Sequence, residues 1–245
     1  MIVPGSLLDL EWLRSNEGSQ ILNCLLHRNG TRLRQFGLLD GPQIPSQLNV
    51  EEVTYKVMLA GKTGVGKTST VAKLTGTDVP LTHNETPGLQ TSNLYWPGKI
   101  KHLGKTVLFN IHLFDAGEAA LKRYDHILPA CKDGVDGILF LFSFVDKGSF
   151  DEIPQLLTRL TNPDDGVCKI VLGTKFDLHA HSEVTQRDIR DLENNWQIPV
   201  LRIRNVQHSQ QAETSGGGVG DVTPVLNTLC EHLWHRDVVI SGKNL

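Results

Sequence analysis

The sequence is poor in cysteine, and the few cysteines do not cluster. No two of the four stand in a C-x-x-C pair. They are Cys24, Cys131, Cys168 and Cys230. This spacing argues against a zinc site and against a disulfide framework, and it is typical of a protein from a reducing compartment. We therefore expect a cytoplasmic protein.

Long apolar runs are also missing. The longest run covers residues 137–145, about half of the length that a membrane-spanning helix requires. The N-terminus has acidic residues where a secretory signal would be basic and then apolar. Ser241 to Leu245 include no cysteine for prenylation. We expect no transmembrane segment, no secretory signal and no direct membrane anchor.

The chain also has no large excess of positive or negative charge. The chain has 24 Lys and Arg against 27 Asp and Glu, which gives a formal net charge of -3. This balance indicates no general attraction to nucleic acid or acidic lipid, so no nucleic-acid partner is expected. With 245 residues, 39% of them hydrophobic, the chain can bury one sizeable core and carry a modest extension.

A glycine-rich motif follows an apolar run that ends at Ala60. Gly61 to Thr68 read G-K-T-G-V-G-K-T and match the phosphate-binding pattern G-x-x-x-x-G-K-[ST] at every fixed position. Glycines let the backbone fold tightly and turn several N–H groups toward an anion at a helix start. Lys67 adds a positive charge for the β- and γ-phosphates, and the Thr68 hydroxyl suits Mg²⁺. The motif predicts binding of a nucleoside triphosphate.

The order of the predicted elements indicates an α/β fold with a mostly parallel sheet. The strand, phosphate loop and helix around Gly61 to Thr68 form the first half of a β-α-β unit. Two strand patterns predict an antiparallel hairpin whose turn runs from Pro97-Gly98 to Gly104. The second strand of this hairpin ends at Asp115, where a P-loop protein keeps an acidic residue near Mg²⁺. The strand patterns cover residues 91–96, 106–114, 137–145, 169–173 and 200–203, and the later helical patterns cover residues 149–160, 185–196 and 221 onward.

The chain divides into an N-terminal extension, residues 1–50, a nucleotide-binding domain, residues 51–238, and a short tail, residues 239–245. Apolar clusters in the extension predict two short amphipathic helices. They either pack on the domain or form an arm that binds a partner, which the basic residues from Arg28 to Arg34 would also suit. Residues 207–220 are polar and predict a flexible insertion.

Beyond the phosphate loop, residues 54 to about 236 resemble the Ras- and Rab-type small GTPases. Thr86, in E-T-P-G, stands where that family keeps its switch I threonine. Thr174 to Asp177 read T-K-F-D and resemble the guanine motif N-K-x-D. The resemblance implies a P-loop NTPase G domain with a six-stranded sheet and helices on both faces, and it implies GTP and Mg²⁺ as cofactors.

The resemblance also assigns roles at the base. Asp177 would accept hydrogen bonds from both the ring N–H and the exocyclic amine of guanine, a pair that adenine cannot offer, while the Lys175 stem covers the base. This argues against a P-loop kinase or ATPase. Thr174 replaces the usual Asn, and a hydroxyl makes fewer bonds to the phosphate loop than an amide. In the family, the third contact with the base comes from a backbone N–H. We assign this contact to Asn205 in preference to the E-T-S motif at residues 213–215.

Switch II departs from the family pattern D-x-x-G-Q. Asp115 to Glu118 read D-A-G-E, one residue short and without the Gln that orients the attacking water. We therefore expect slow GTP hydrolysis. The candidate GTP-binding residues are Gly61, Thr63, Gly64, Val65, Gly66, Lys67, Thr68, Ser69, Thr86, Gly117, Lys175, Asp177 and Asn205. The candidate Mg²⁺ ligands are Thr68, Thr86 and Asp115.

Within the family, the chain is similar to the Rem- and Rab-like small GTPases of the ciliogenesis and planar polarity effector complex. The similarity includes residues 83–91, the shortened switch II, the sequence at residues 120–126 that follows it, and residues 233–235. It implies binding to the Fuzzy and Inturned proteins and a role at the basal body and cilium. Three functional classes remain: a switch that binds partners in its GTP state, a scaffold that keeps the nucleotide as a structural cofactor, and a P-loop kinase or ATPase, against which Asp177 argues.

Overall fold

A six-stranded sheet forms the centre of the described part of the chain. The computed structural model describes residues 2–25, 42, 44–80, 82, 88–116, 134–162, 164–206 and 219–242. The strands are β1 (Val50–Ala60), β2 (Leu89–Ile100), β3 (Lys105–Ala116), β4 (Gly137–Ser143), β5 (Cys168–Thr174) and β6 (Val200–Arg202). They lie in the order β2-β3-β1-β4-β5-β6, and every neighbouring pair is parallel except β2 with β3. The predicted mostly parallel six-stranded sheet is confirmed.

Helices cover both faces of this sheet, as the sequence predicts. They are α1 (Asn16–Leu25), α2 (Lys67–Thr75), α3 (Lys147–Asp151), α4 (Ile153–Leu160), α5 (Gln186–Trp196) and α6 (Val219–Ile240), with short 3₁₀ helices at Trp12–Arg14 and Phe176–His181. Leu74 of α2 and Leu229 of α6 belong to the apolar core on one face. Leu157 of α4 and Leu192 of α5 belong to the core on the other face.

Strand β4 accounts for the longest apolar run of the sequence. All of its residues are buried. Leu139 and Leu141 belong to the first core, whereas Phe140 and Phe142 belong to the second. A central parallel strand needs apolar side chains at successive positions because helices cover both of its faces. Among the described residues, no helix has the length and apolar character that crossing a membrane requires.

The N-terminal segment, residues 2–25, packs beside the edge strand β2. Leu8 forms an antiparallel bridge with Ile100. In α6, the buried carboxylate of Glu231 accepts three backbone hydrogen bonds from the segment. The donors are the N–H groups of Gly5, Leu7 and Leu8, at 2.9, 2.7 and 3.2 Å. This part of the extension therefore lies on the domain, while the basic run from Arg28 to Arg34 falls outside the described residues.

The hairpin of β2 and β3 is longer than predicted. The strands keep pairing through Pro97 and Gly98, and the turn occupies residues 101–104. Proline is tolerated on an edge strand because its missing N–H removes no bond when it faces away from the sheet. A Cβ at Gly98 would lie 3.2 Å from the ring of Phe109, so close packing, and not a turn, accounts for this glycine.

Helix boundaries also differ from the prediction. The run predicted for residues 149–160 forms two helices that meet at Glu152, because Pro154 occupies the first turn of α4, where its missing N–H costs nothing. Helix α6 begins at Val219 and continues to Ile240, so the tail predicted from residue 239 includes the end of this helix. Residues 207–218 of the predicted insertion lie outside the described residues.

Candidate functional site

The phosphate loop joins the end of β1 to the start of α2. Gly61 follows β1, and a Cβ at this position would collide with the carbonyl oxygen of Leu141 in β4. Gly64 and Gly66 have φ angles of 81° and 95°, a left-handed conformation that favours glycine. The loop therefore depends on its glycines both for close contact with β4 and for its tight turn.

Lys67 lies within the loop that precedes it. Its side chain is buried, and its Nζ donates to the carbonyl oxygens of Gly61 at 2.8 Å and Lys62 at 3.1 Å. An ammonium group that leaves water needs oxygen partners, and the loop backbone supplies them. The positive charge is thereby held at the centre of the phosphate loop.

Thr68 and Asp115 bring two oxygen ligands together at the carboxyl ends of neighbouring strands. Thr68 lies in the first turn of α2, after β1, and Asp115 lies near the end of β3, which pairs with β1. Thr68 Oγ1 donates to Asp115 Oδ2 at 2.5 Å, and Asp115 is only 2% exposed. A hydroxyl and a carboxylate are hard oxygen donors of the kind that Mg²⁺ prefers. These two predicted ligands fit a Mg²⁺ site.

The predicted base motif follows β5, at the same edge of the sheet. Thr174 ends β5, and its buried hydroxyl lies 2.5 Å from the carbonyl oxygen of Val65 in the phosphate loop. Lys175 has a φ of 55°, in the left-handed region, and turns the chain away from the strand. Asp177 is half-buried in the 3₁₀ helix that follows. The motif thus contacts the phosphate loop directly through Thr174.

Asn205 lies in the loop after β6, next to the phosphate loop. Its Nδ2 donates to Thr70 Oγ1 at 2.9 Å and lies 3.5 Å from the carbonyl oxygen of Gly66. The sequence predicts a role only for the backbone N–H of this residue, so the contacts of its side chain are new. The competing E-T-S text at residues 213–215 lies outside the described residues.

Two residues of α2 that the sequence analysis missed hold the same loop. Thr70 is fully buried and accepts the amide of Asn205. Lys73 is 8% exposed, and its Nζ lies 3.1 Å from the carbonyl oxygen of Val206 and 3.4 Å from Asp221 Oδ2. Residues three apart share one face of a helix. Polar side chains at that spacing on a core-facing helix were the signal that could have revealed them.

The other candidate residues are less informative. Val65 is buried in the apolar core, Ser69 is half-buried in the first turn of α2, and Thr63 is exposed on the phosphate loop. Thr86 and Gly117 lie outside the described residues. The described part of the site therefore contains the phosphate loop, the two candidate Mg²⁺ ligands Thr68 and Asp115, and the candidate base-binding motif after β5.

A separate groove of about 880 Å³ lies at the other end of the sheet. Its walls include Cys168 at the start of β5, Pro199 just before β6 and Ile240 at the end of α6. None of the candidate nucleotide ligands is among its lining residues. Ligands of open α/β sheets bind outside the carboxyl ends of the strands, where Asp115 and Thr174 lie. We therefore place the candidate site at that end.

Comparison with known proteins agrees with this geometry. The sequence model of the Ras family matches residues 56–213, well over half of the chain. The chain belongs to the Ras family. Family membership implies that the domain binds a guanine nucleotide, which is the ligand that the base motif at Asp177 predicts.

Relatives that match nearly the whole chain share one name. The proteins named "Ciliogenesis and planar polarity effector 2" from Xenopus tropicalis and Homo sapiens are 44% and 42% identical to this chain. Each alignment covers 98% of this chain and 94% of the relative. "GTP-binding protein REM 2" of Rattus norvegicus is 27% identical over 69% of this chain and 48% of its own length. The predicted resemblance, within the Ras family and to its ciliogenesis branch, is confirmed.

Proposed function

We propose that this small GTPase binds GTP with Mg²⁺ and serves as a nucleotide-dependent subunit of a planar polarity effector complex that supports ciliogenesis. The contact between Thr68 and Asp115, beside the phosphate loop that surrounds Lys67, carries the nucleotide part of this proposal. A hydroxyl, a carboxylate and an ammonium group at one sheet edge form the set of groups that a nucleoside triphosphate and its metal require.

The phosphate loop binds the triphosphate with backbone N–H groups and one cation. Lys67 exchanges its contacts with the carbonyl oxygens of Gly61 and Lys62 for β- and γ-phosphate oxygens, which are stronger partners because they are charged. Thr68, Thr86 and Asp115 would hold Mg²⁺, which neutralises charge on the phosphate oxygens. By resemblance to the family, Thr86 and Gly117 would contact the γ-phosphate in the GTP state.

The base is selected by the edge after β5. The Asp177 carboxylate accepts the ring N–H and the exocyclic amine of guanine, Lys175 covers the ring with its stem, and the backbone N–H of Asn205 donates to the base oxygen. Adenine presents an acceptor where guanine presents the ring N–H, so it would leave the carboxylate facing a lone pair. Selectivity for guanine follows.

Hydrolysis should be slow because the switch II sequence contains no side-chain amide to orient the attacking water. In the sequence, Glu118 follows Gly117 where the family has its Gln, and a carboxylate in the place of that Gln would add negative charge beside the phosphate oxygens. Lys67, Thr68 and Thr86 stabilise the bound nucleotide, and none of them orients the attacking water. Binding and catalysis are thereby separated.

The cellular part of the proposal is supported by the names of the relatives that match 98% of the chain. We propose that the chain binds the Fuzzy and Inturned proteins in its GTP state and acts in targeted transport of vesicles and cargo to the basal body and cilium.

The nucleotide proposal is tested by denaturing freshly purified protein and identifying the released nucleotide by chromatography. We expect GTP or GDP in an amount close to that of the protein. Release of adenine nucleotides alone would contradict guanine selectivity. Protein that is folded but free of nucleotide, and that takes up no labelled GTP in the presence of Mg²⁺, would contradict the proposal as a whole.

A GTP-bound scaffold is the second candidate, and the shortened switch II text from Asp115 to Glu118 favours it. Both the switch and the scaffold would bind GTP and hydrolyse it slowly, so a hydrolysis assay does not distinguish them. Capture of partners does. A switch captures the Fuzzy and Inturned proteins in its GTP-loaded form and loses them in its GDP-loaded form. A scaffold captures them equally in both forms.

A further inference from the structure

A side-chain amide ties the loop after β6 to the phosphate loop. Asn205 is half-buried, its Nδ2 donates to Thr70 Oγ1 at 2.9 Å, and the same nitrogen lies 3.5 Å from the carbonyl oxygen of Gly66. Thr70 in turn donates its backbone N–H to that carbonyl at 2.8 Å. The amide therefore joins the last glycine of the phosphate loop and the first turn of α2 to the loop that is proposed to contact guanine.

The hydroxyl of Thr174 makes the other link to the phosphate loop, and this link is limited because a hydroxyl has a single hydrogen to donate. Its Oγ1 lies 2.5 Å from the carbonyl oxygen of Val65 and 3.0 Å from that of Phe142. A hydroxyl has one hydrogen and donates to one carbonyl at a time, whereas an asparagine amide has two N–H donors. When the hydroxyl donates to β4 at Phe142, its link to the phosphate loop is lost. A second tie from Asn205 makes up for this.

The loop that carries Asn205 is itself well anchored. Lys73 Nζ donates to the carbonyl oxygen of Val206 at 3.1 Å and pairs with Asp221 at 3.4 Å. On the other side, the backbone N–H of Ile203 donates to Gly173 in β5 at 2.9 Å. Because both flanks are held, the amide of Asn205 projects from a fixed support toward Gly66.

We propose that Asn205 is a positioning residue for the nucleotide: its side-chain amide holds the phosphate loop and the base-contacting loop in one arrangement, together with the hydroxyl of Thr174. This inference rests on the proposed binding of GTP and goes beyond the backbone contact with the base that is proposed for Asn205. Its consequence is kinetic. Loss of the amide loosens both ends of the pocket and shortens the lifetime of the bound nucleotide.

The test measures how fast fluorescent GDP leaves the full-length protein in the presence of excess unlabelled GDP. Asn205→Ala should release it roughly tenfold faster, the effect of one or two lost hydrogen bonds. Asn205→Asp keeps the size of the side chain but turns an acceptor toward the Gly66 carbonyl, so its release should be at least as fast. Asn195→Ala, at an exposed position in α5, is the matched control and should release GDP at the wild-type rate.

Two further measurements separate positioning from a general loss of stability. Adding Thr174→Asn to Asn205→Ala supplies an amide from the other loop and should slow release toward the wild-type rate. Hydrogen exchange of the nucleotide-free protein should be faster at the amides of residues 66–70 in Asn205→Ala, and unchanged at the amides of β4. This second measurement does not depend on bound nucleotide.

Unchanged GDP release by Asn205→Ala, from a wild-type protein that binds guanine nucleotide, would overturn this inference and leave the proposed function standing. Faster release that Thr174→Asn fails to slow, with faster exchange throughout the sheet, would also overturn it, because general destabilisation would then explain the result. A wild-type protein that binds no guanine nucleotide would instead overturn the proposed function, and the exchange measurement would still decide whether Asn205 holds the phosphate loop.

Discussion

Asp177 is the single side chain on which guanine selectivity is expected to depend. Asp177→Asn replaces one acceptor oxygen with an N–H donor that faces the guanine amine, which should cost about 2 kcal/mol or more, roughly a 30-fold loss of GTP affinity. Xanthine has a carbonyl oxygen where guanine has that amine, so the variant should gain affinity for xanthosine triphosphate. Competition titrations against labelled GTP measure both changes.

A matched control for this substitution is Asp191→Asn, at an exposed position in α5. The ion pair of Asp191 with Arg187 is 3.8 Å long and solvent-exposed, so the control should leave both nucleotide affinities unchanged. If ATP displaces labelled GTP from the wild-type protein as well as GTP does, the assignment of Asp177 is wrong.

At the scale of elements, the N-terminal segment depends on one carboxylate of α6. Glu231 is 1% exposed and accepts three backbone hydrogen bonds from the segment. Glu231→Gln places an NH₂ group against backbone N–H donors, so the free energy of unfolding should fall by about 2 kcal/mol. Urea unfolding measures this change, and limited proteolysis should cut the segment faster in the variant.

The exposed Glu11 lies on the same N-terminal segment and provides the comparison for Glu231. Glu11→Gln removes only a surface ion pair with Arg14, which contributes little to stability. If Glu231→Gln unfolds at the same urea concentration as Glu11→Gln, the segment does not depend on the carboxylate of Glu231.

Helix α1 is joined to β2 and β3 through Glu17. Its carboxylate accepts hydrogen bonds from Lys99 at 2.8 Å, Trp12 at 3.0 Å and Thr106 at 2.8 Å. These bonds lower the pKa of Glu17 to about 2, and the bond from Lys99 has the largest effect. Since the charged form is favoured in the folded state, the stabilisation is complete above the ordinary pKa of 4.5 and is lost as the pH falls toward 2.

Substitution of Glu17 tests this pH dependence. Wild type should be more stable than Glu17→Gln above the ordinary pKa, and the difference between their free energies of unfolding should shrink as the solution is acidified. Denaturant unfolding of both proteins over a series of pH values gives that difference. A difference that stays constant with pH would show that ionisation of Glu17 contributes nothing.

For the whole molecule, we predict that nucleotide binding and hydrolysis are separated. The isolated protein should hold GTP with Mg²⁺ and hydrolyse it very slowly in a single-turnover assay, because the chain from Asp115 to Glu118 lacks the amide that orients water. Removal of Mg²⁺ with a chelator should speed nucleotide release, since Thr68 and Asp115 then lose the ion that links them to the phosphates. Turnover as fast as that of a Gln-containing relative, measured beside it, would contradict the prediction.

Features that depend on local chemistry could be predicted without a structure. The pattern from Gly61 to Thr68 needs glycine, lysine and a hydroxyl at fixed spacing whatever surrounds it, so it could be recognised without a structure. The order of strands and helices followed from apolar periodicity, because a buried parallel strand such as β4 needs apolar residues at successive positions.

The pairs of side chains that meet across long stretches of chain become apparent only in the folded protein. Nothing local in the sequence relates Asn205 to Thr70 or Glu231 to the N-terminal segment, because those contacts form only when helices and loops distant in sequence pack against each other. The same reason explains the misplaced hairpin turn: Pro97 and Gly98 favour a turn locally, but the edge position of β2 and the packing against Phe109 allow the strand to continue. Local preference gave way there because pairing with β3 along the whole strand stabilises more than a single turn does.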